Sequence, residues 1–394
     1  MKTNTTNYNL PITSEGGFIR LIRQGINPLT REQFHETSQV GGLWDKLKEG
    51  DIRRTTLKTR EAFYDYCYDI LTSDEPLRLY FQRRLVFSDI TAVPNVRVEN
   101  RYISTASNRN NVRPIRNLNL ETMLDVKAFD GVNLKGAYKE GLETGKVLRA
   151  FTMPSIFKTA VTGNYESLVV CLKTCTGQPS VFSPTVYRSL LHELEKHASR
   201  APERLLVPSA SWGTPVLAAS DIGLFGEIHI VDVMEPALKT CQSLHQYISD
   251  TRTVELFAPP MSRLETTRTR SEVMSNKVPG SFDRVFFCPP YYDLELYPGA
   301  EQSTEVHQSY TSWLHSYWEA TVLECKKMLN PGGVFSFVMG RTIRGHDMGE
   351  DMARIAEDSF TRCEEIEIAP GKESRRDSNK VKKSECCYIF RHDG

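Results

Sequence analysis

From about residue 150 onward, apolar and polar positions follow two alternating periods. Residues 184–198 (PTVYRSLLHELEKHA) carry Val186, Leu190, Leu191 and Leu194 at helical spacing on one side. RLLV (204–207) has the character of a short buried strand, followed by the turn PSASWG and the apolar helix TPVLAAS. EIHIVDV (227–233) predicts a second strand ending in Asp232, and MEPALKTCQSLHQYI a helix. TVELFA (253–258) predicts a third strand that ends at Pro259-Pro260, and FDRVFFC (282–288) a fourth that ends at Pro289-Pro290. Residues 311–330 predict a helix stopped by Pro331-Gly332-Gly333, and VFSFVM (334–339) a fifth strand. A helix near 350–358 and the strands CEEIEIA (363–369) and ECCYIFR (385–391) complete the series. Alternation of this kind predicts an α/β fold with a mostly parallel, doubly wound sheet covered on both faces. The last two strands lack a clear helix between them, so an antiparallel hairpin at one edge is expected.

The texture before residue 150 is different. Residues 56–85 predict two helices broken around Asp74-Glu75-Pro76, with Phe63, Tyr66, Ile70 and Leu71 at helical spacing. The stretch 95–120 is rich in Asn and Ser and carries Arg97, Arg101, Arg109, Arg113 and Arg116 against Glu99, which marks a loop or hairpin. The expected division is therefore 1–150, helical or irregular and suited to recognition or interaction, and 151–394, the α/β domain.

Composition narrows the function classes. The 394 residues hold 49 Lys+Arg and 49 Asp+Glu, which excludes a uniformly basic nucleic-acid binder but not a local basic face. No apolar run approaches the roughly 18 residues of a membrane span. The start has no apolar h-region, so no secretory signal is expected, while its Thr- and Asn-rich character leaves an organellar-targeting reading open. Nine scattered cysteines without a CxxC pair predict reduced thiols in an intracellular protein, and no metal site. His192, His197, His307 and His315 do not group with cysteines at zinc spacing, and His229 is expected to be buried in mid-strand.

The most specific feature is the segment Phe282-Asp283-Arg284-Val285-Phe286-Phe287-Cys288-Pro289-Pro290-Tyr291-Tyr292-Asp293-Leu294. Its tetrapeptide resembles the (Asp/Asn/Ser)-Pro-Pro-(Tyr/Phe) motif of S-adenosylmethionine-dependent amino methyltransferases, which act on adenine N6, cytosine N4 or guanine N2. The run Tyr292-Asp293-Leu294-Glu295-Leu296-Tyr297, then Gln302-Ser303, then Tyr310-x-x-Trp313-Leu314 is similar to a phage and prokaryotic DNA-methylase-like subgroup. The resemblance covers about 180–394 and implies a Rossmann-like methyltransferase fold. It assigns Cys288 to the place of the polar amine acceptor, Pro289 and Pro290 to a rigid carbonyl, and Tyr291 to stacking on a base swung out of its helix.

The same resemblance implies S-adenosylmethionine as cofactor. Val207-Pro208-Ser209-Ala210-Ser211-Trp212-Gly213 stands where these enzymes carry their first motif, in this subgroup Asp-Pro-Ser-Ala-Gly-Trp-Gly. Val207 replaces the acid and Ser211 a glycine, while Pro208, Ser209, Ala210, Trp212 and Gly213 remain. Asp232, with Glu235 beside it, is the candidate for the ribose hydroxyls. Ser262 is the polar candidate for the adenine, and Ser183-Pro184 stand at the subgroup's N-terminal cofactor contact. Asp232 also suits a plain helix N-terminal charge, and Ser183-Pro184 a plain helix cap.

Candidate nucleic-acid contacts are Arg109, Arg113 and Arg116, and in 371–384 Arg375, Arg376, Lys380, Lys382 and Lys383; that segment holds six basic residues against two acids. A solvated loop is the bland alternative for each. The sequence thus points to methyl transfer to a base amine, with DNA favoured over RNA and no membrane partner. The alternatives are a catalytically silent methyltransferase fold serving as a structural or assembly subunit, with a protein partner or a second copy of itself, and an RNA methyltransferase.

Overall fold

The computed structural model describes residues 30–40, 59–62, 65, 68, 102–104, 115, 118–128, 131, 133, 181–251, 259–299, 301–340, 343, 345–369 and 385–394. The chain divides into two compact units, 1–86 with 120–179, and 87–119 with 180–394. In the first unit the helix Arg31–Val40 is joined to a second helical segment through Asp65. That carboxylate accepts from Arg31 at 2.9 Å and meets His35 at 3.1 Å. Positions 60–62, 65 and 68 are helical, as 56–85 predicts; Phe63, Tyr66, Ile70, Leu71 and the break at Pro76 lie outside the described residues.

The second unit is built on eight strands: β1 (Tyr102–Ser104), β2 (Arg204–Val207), β3 (Glu227–Asp232), β4 (Arg263–Arg268), β5 (Phe282–Phe287), β6 (Leu329–Gly340), β7 (Thr361–Ala369) and β8 (Glu385–Arg391). They lie in the order β1-β7-β8-β6-β5-β2-β3-β4. Only β8 runs antiparallel, to both β6 and β7. Counted from β2, the seven principal strands stand as third, second, first, fourth, fifth, seventh, sixth. This is the strand order of the Rossmann-like methyltransferase fold, as expected, with β1 added parallel to β7 outside it. The helices are α1 (Pro184–Leu194), α2 (Thr214–Ala219), α3 (Glu235–Thr251), α4 (Ala320–Met328) and α5 (Met348–Glu357).

The strands form where the apolar runs predict, because a central parallel strand is covered on both faces and must be apolar throughout. All six positions of β5 are buried. Its two charged residues are held by partners. Arg284 is fully buried and meets Glu195 with two hydrogen bonds, at 2.9 and 2.7 Å. Asp283 accepts from the backbone N–H groups of Glu203 and Arg204, both at 3.0 Å, and from the side chains of Asn330 and Arg200 at 2.9 and 2.6 Å. Together they lock the amino ends of β2 and β5. At the carboxyl half of the sheet, Phe335 and Phe337 of β6 pack with Tyr388 and Phe390 of β8 and with Trp318.

The strand beside β3 is Arg263–Arg268, and the expected strand 253–258 lies outside the described residues. Being the sheet's border, β4 leaves most of its side chains part-exposed and alternates charges and threonines, so no apolar run marks it. The helix before β6 stops at Met328; Leu329 is already extended (φ −88°, ψ 128°), and β6 includes Pro331-Gly332-Gly333. The segment Trp313–Glu319 before α4 is a π-helix. The last two strands pair antiparallel as the expected hairpin at one end of the sheet, with β8 between β7 and β6 and only the three-residue β1 outside β7.

Candidate active site

In a doubly wound sheet the crevice opens at the carboxyl ends of the strands where the strand order reverses. Here that point lies between β2 and β5. The two segments that the sequence singles out leave the sheet side by side at this point.

The turn after β2 is tightly wound. Ser211, Trp212 and Gly213 have φ of 45°, 60° and 97°, three left-handed residues in succession. Gly213 is required twice over. Its φ is one that L side chains rarely adopt, and a Cβ there would stand 2.7 Å from Leu244 Cδ1 of α3. The Gly213 N–H closes the turn on Ala210 O at 2.8 Å. The Ala210 N–H donates to Asp232 Oδ2 at 2.9 Å, and the Met234 N–H to Asp232 Oδ1 at 2.8 Å. Asp232 is thus held at the end of β3 with one backbone donor on each oxygen. Burial pushes its carboxyl above the usual range, while the N–H groups of Met234, Ala210 and Val233 pull it down.

Asn119 secures this turn from the far side, and no sequence signal announced it. It is 1% exposed. Its amide donates to Trp212 O at 2.9 Å and to Ile115 O at 2.8 Å, and its carbonyl accepts from Thr240 Oγ1 at 3.0 Å. The Trp212 ring is buried, 5.6 Å from Tyr297. The Tyr297 hydroxyl donates to Glu295, and burial with that carboxylate pushes the phenol well up.

After β5, Cys288 is part-exposed at its surface and Pro289 is buried. Burial holds the Cys288 thiol well above the usual thiol range, reinforced by the nearby Glu385 and Cys387 and opposed by the Ser211 side chain. Of the three positions that depart from the motifs, Val207, Ser211 and Cys288, the last two are thus neighbours. Tyr291 donates its hydroxyl to Glu385 Oε1 at 2.7 Å. Burial, with Glu385 beside it, pushes the Tyr291 phenol well up, and burial also raises the Glu385 carboxyl. Tyr187 of α1 supports the loop from below: its hydroxyl donates to Phe286 O at 2.6 Å and its ring lies 4.2 Å from that of Phe286. Beyond Tyr291, Tyr292 (φ 48°) packs with Tyr310 and Trp313, and Tyr310 stacks on His346 at 3.8 Å.

The remaining candidates are placed as follows. Pro208 and Ala210 are buried and Ser209 half-buried within the turn. Pro184 is buried at the first position of α1, and the Ser183 side chain makes no cap hydrogen bond. Glu235 opens α3 and pairs with Lys239 at 3.8 Å. Ser262 is corrected: it precedes β4, at the amino end of the strand, and its buried hydroxyl donates to Phe225 O at 2.7 Å. It is thus on the far side of the sheet from the crevice, because the third strand lies later in the chain than TVELFA. His229 is buried in β3, as expected. Arg109, Arg113, Arg116, Arg375, Arg376, Lys380, Lys382 and Lys383 lie outside the described residues. Among the described residues, no cluster of side chains could hold a metal ion and no helix is long and apolar enough to cross a membrane.

The residues at the crevice fit the nucleoside end of S-adenosylmethionine. Asp232, with backbone donors on both oxygens, keeps acceptor capacity for a ribose hydroxyl. The turn from Pro208 to Gly213, with Trp212 and Tyr297, forms the adjoining wall. At the methionine end the fit is thinner, since the buried Val207 offers no charge to an ammonium group.

No protein-family model matches the chain, and no curated protein matches it. Among solved structures the chain is similar to the N-methyltransferase NodS from Bradyrhizobium japonicum in complex with S-adenosyl-l-homocysteine, at 17% identity, covering 52% of this chain and 87% of that one, with a TM-score of 0.36. It is also similar to TrmN from Thermus thermophilus (12% identity, 54% of this chain and 50% of that one, TM-score 0.37). A third is an rRNA methylase from Streptococcus thermophilus (12% identity, 54% of this chain and 99% of that one, TM-score 0.32). The strand order, rather than these likenesses, identifies the fold.

Proposed function

We propose that this chain transfers a methyl group from S-adenosylmethionine to an exocyclic amino group of a nucleic-acid base, adenine N6 or cytosine N4, with DNA favoured over RNA. The observation that carries this reading is the placement of the Pro208–Gly213 turn and the Cys288-Pro289-Pro290-Tyr291 loop side by side at the reversal point of the sheet, after the paired strands β2 and β5. Bound there, S-adenosylmethionine supplies a methyl group on a positively charged sulfur that leaves readily.

The chain's own work is positioning, which can remove a large part of such a barrier. Asp232 holds the ribose diol, and the left-handed turn lets the backbone approach the cofactor. The Pro289 carbonyl, fixed between two prolines with no competing N–H, accepts from the amine. That favours a tetrahedral nitrogen whose lone pair can attack. The Tyr291 ring stacks on the base. The basic segments around 97–116 and 371–384 supply phosphate contacts. Such contacts make affinity fall steeply with salt.

A second reading keeps the fold and drops the chemistry, leaving a structural or assembly subunit. It is favoured by Val207 at the acid's place and by the Ser211 side chain on a turn that the family leaves to glycine. One experiment separates the two. The purified chain is incubated with radiolabelled S-adenosylmethionine and with DNA and RNA, and the labelled nucleoside is identified. N6-methyladenine or N4-methylcytosine that disappears in Tyr291→Ala supports the enzyme. Neither transfer nor cofactor binding by calorimetry leaves the scaffold.

A further inference from the structure

We infer that Glu385 is the group that receives the target amine's proton in this site, taking the task that the first residue of the Pro-Pro-Tyr motif has where that residue is polar. This rests on the methyl-transfer reading above.

Three observations lead there. Cys288 is a poor acceptor: sulfur accepts hydrogen bonds weakly, and burial keeps this thiol protonated. An amine with two N–H groups then finds the Pro289 carbonyl and lacks a second strong acceptor. Second, Glu385 opens β8 directly across from Gly340, the last residue of β6. It therefore stands at the carboxyl ends of the strands, on the β6 side of Cys288, whereas Asp232 stands on the β3 side. The nucleoside of the methyl donor and the acceptor of the amine thus flank the loop from opposite directions, as in-line transfer requires. Third, the carboxylate is incompletely satisfied. Oε1 accepts from Tyr291 at 2.7 Å; among the described residues no donor reaches Oε2, and no cation pairs with the group. Oε2 therefore keeps its lone pairs for a ligand's N–H.

The titratable groups facing Glu385 are Tyr291 and Cys288, both from the loop after β5; its strand neighbours Gly340 and Ile368 do not ionise. Tyr291 then has two tasks: its ring carries the base while its hydroxyl fixes the carboxylate beside the amine. In the reaction the nitrogen–carbon bond forms as the donor's carbon–sulfur bond breaks, and that electron pair returns to sulfur. The surplus proton on nitrogen passes to the ionised Glu385 and from there to water.

The test compares wild type, Glu385→Gln and the double variant Glu385→Gln with Cys288→Asp, using radiolabelled S-adenosylmethionine and the nucleic acid that the wild type methylates. Gln keeps an oxygen for Tyr291 but cannot take a proton. The expected result is a loss in kcat of about 100-fold and disappearance of the acid limb of the kcat–pH profile. Cofactor affinity by calorimetry stays close to wild type, Tm does not fall, and Cys288→Asp restores part of the rate. An unchanged kcat, an acid limb that persists in Glu385→Gln, or a parallel loss of cofactor affinity overturns the inference while the methyl-transfer reading stands. A wild-type chain that binds cofactor and methylates no amine overturns both.

Discussion

Replacing Asn119 by alanine removes one buried side chain and releases the turn that follows β2. In the native chain its amide donates to Trp212 O and Ile115 O, and its carbonyl accepts from Thr240 Oγ1. Ile115 O keeps a second donor, the Asn119 N–H at 3.1 Å. The Trp212 carbonyl and the Thr240 hydroxyl lose these partners in a place shielded from water. Each such loss costs roughly 1–3 kcal/mol, so a total of about 3 kcal/mol is expected. For a unit of about 250 residues, which shifts roughly 2–4 °C per kcal/mol, Tm is expected to fall by about 6–12 °C. Thr240→Val removes only one donor and is expected to cost about 1 kcal/mol. Because the two residues share a bond, the double variant is expected to cost less than the sum, by about 1 kcal/mol. Differential scanning fluorimetry of the three variants reads all of this. A Tm change under about 2 °C for Asn119→Ala, or strict additivity with Thr240→Val, would refute the assignment of Asn119 as the clamp of this turn.

Three further outcomes follow from the same geometry. Gly213→Ala meets both a positive φ of 97° and Leu244 Cδ1 at 2.7 Å; a loss of roughly 2 kcal/mol by urea unfolding is expected, with weakened cofactor binding by calorimetry. Glu195→Gln removes the charge of the carboxylate that, among the described residues, pairs with the fully buried Arg284, and urea unfolding is expected to show a loss of about 3–5 kcal/mol. For stability against pH, burial raises the folded-state pKa of Glu385 above its unfolded value. The contribution of this group is then fully present below the unfolded pKa and lost as pH rises through the folded one. Glu385→Gln is therefore expected to melt above wild type at neutral pH, by a margin that closes as the pH falls toward about 4; an unchanged or growing margin on acidification speaks against the sign.

How far the sequence carried this picture depended on the range of the forces involved. β2 and β8 were legible to the residue, since both are short runs of apolar side chains buried between neighbours. The Pro-Pro-Tyr loop was legible because prolines constrain the backbone locally whatever lies around them. The third strand was not. A border strand needs no apolar run, and the alternating RLETTR of β4 carries a weaker signal than the apolar TVELFA before it. Ser262 was misplaced with it. Asn119 could not be found at all, because its role arises from partners 93 and 121 residues away. Glu385 was nearer to hand: it is the first residue of a strand correctly read, but only the pairing of β8 with β6 brings it to the carboxyl ends of the central strands.

That dependence on long-range pairing also changes how the two departures in the cofactor turn and the acceptor loop are understood. Along the chain, Ser211 for glycine and Cys288 for a polar residue stand as two separate losses. In the fold they are neighbours: the Ser211 side chain acts on the Cys288 thiol against the burial that raises it, while the hydrogen bond of the Ser211 hydroxyl runs to Ser209 O at 3.5 Å. A serine at φ 45° carries a conformational cost of roughly 1 kcal/mol that a glycine would not. A thiol accepts hydrogen bonds weakly. On the proposed methyl-transfer reading, Ser211→Gly therefore relaxes the turn without supplying an acceptor, whereas Cys288→Asp supplies one, and in the native chain the second contact of the amine falls to Glu385.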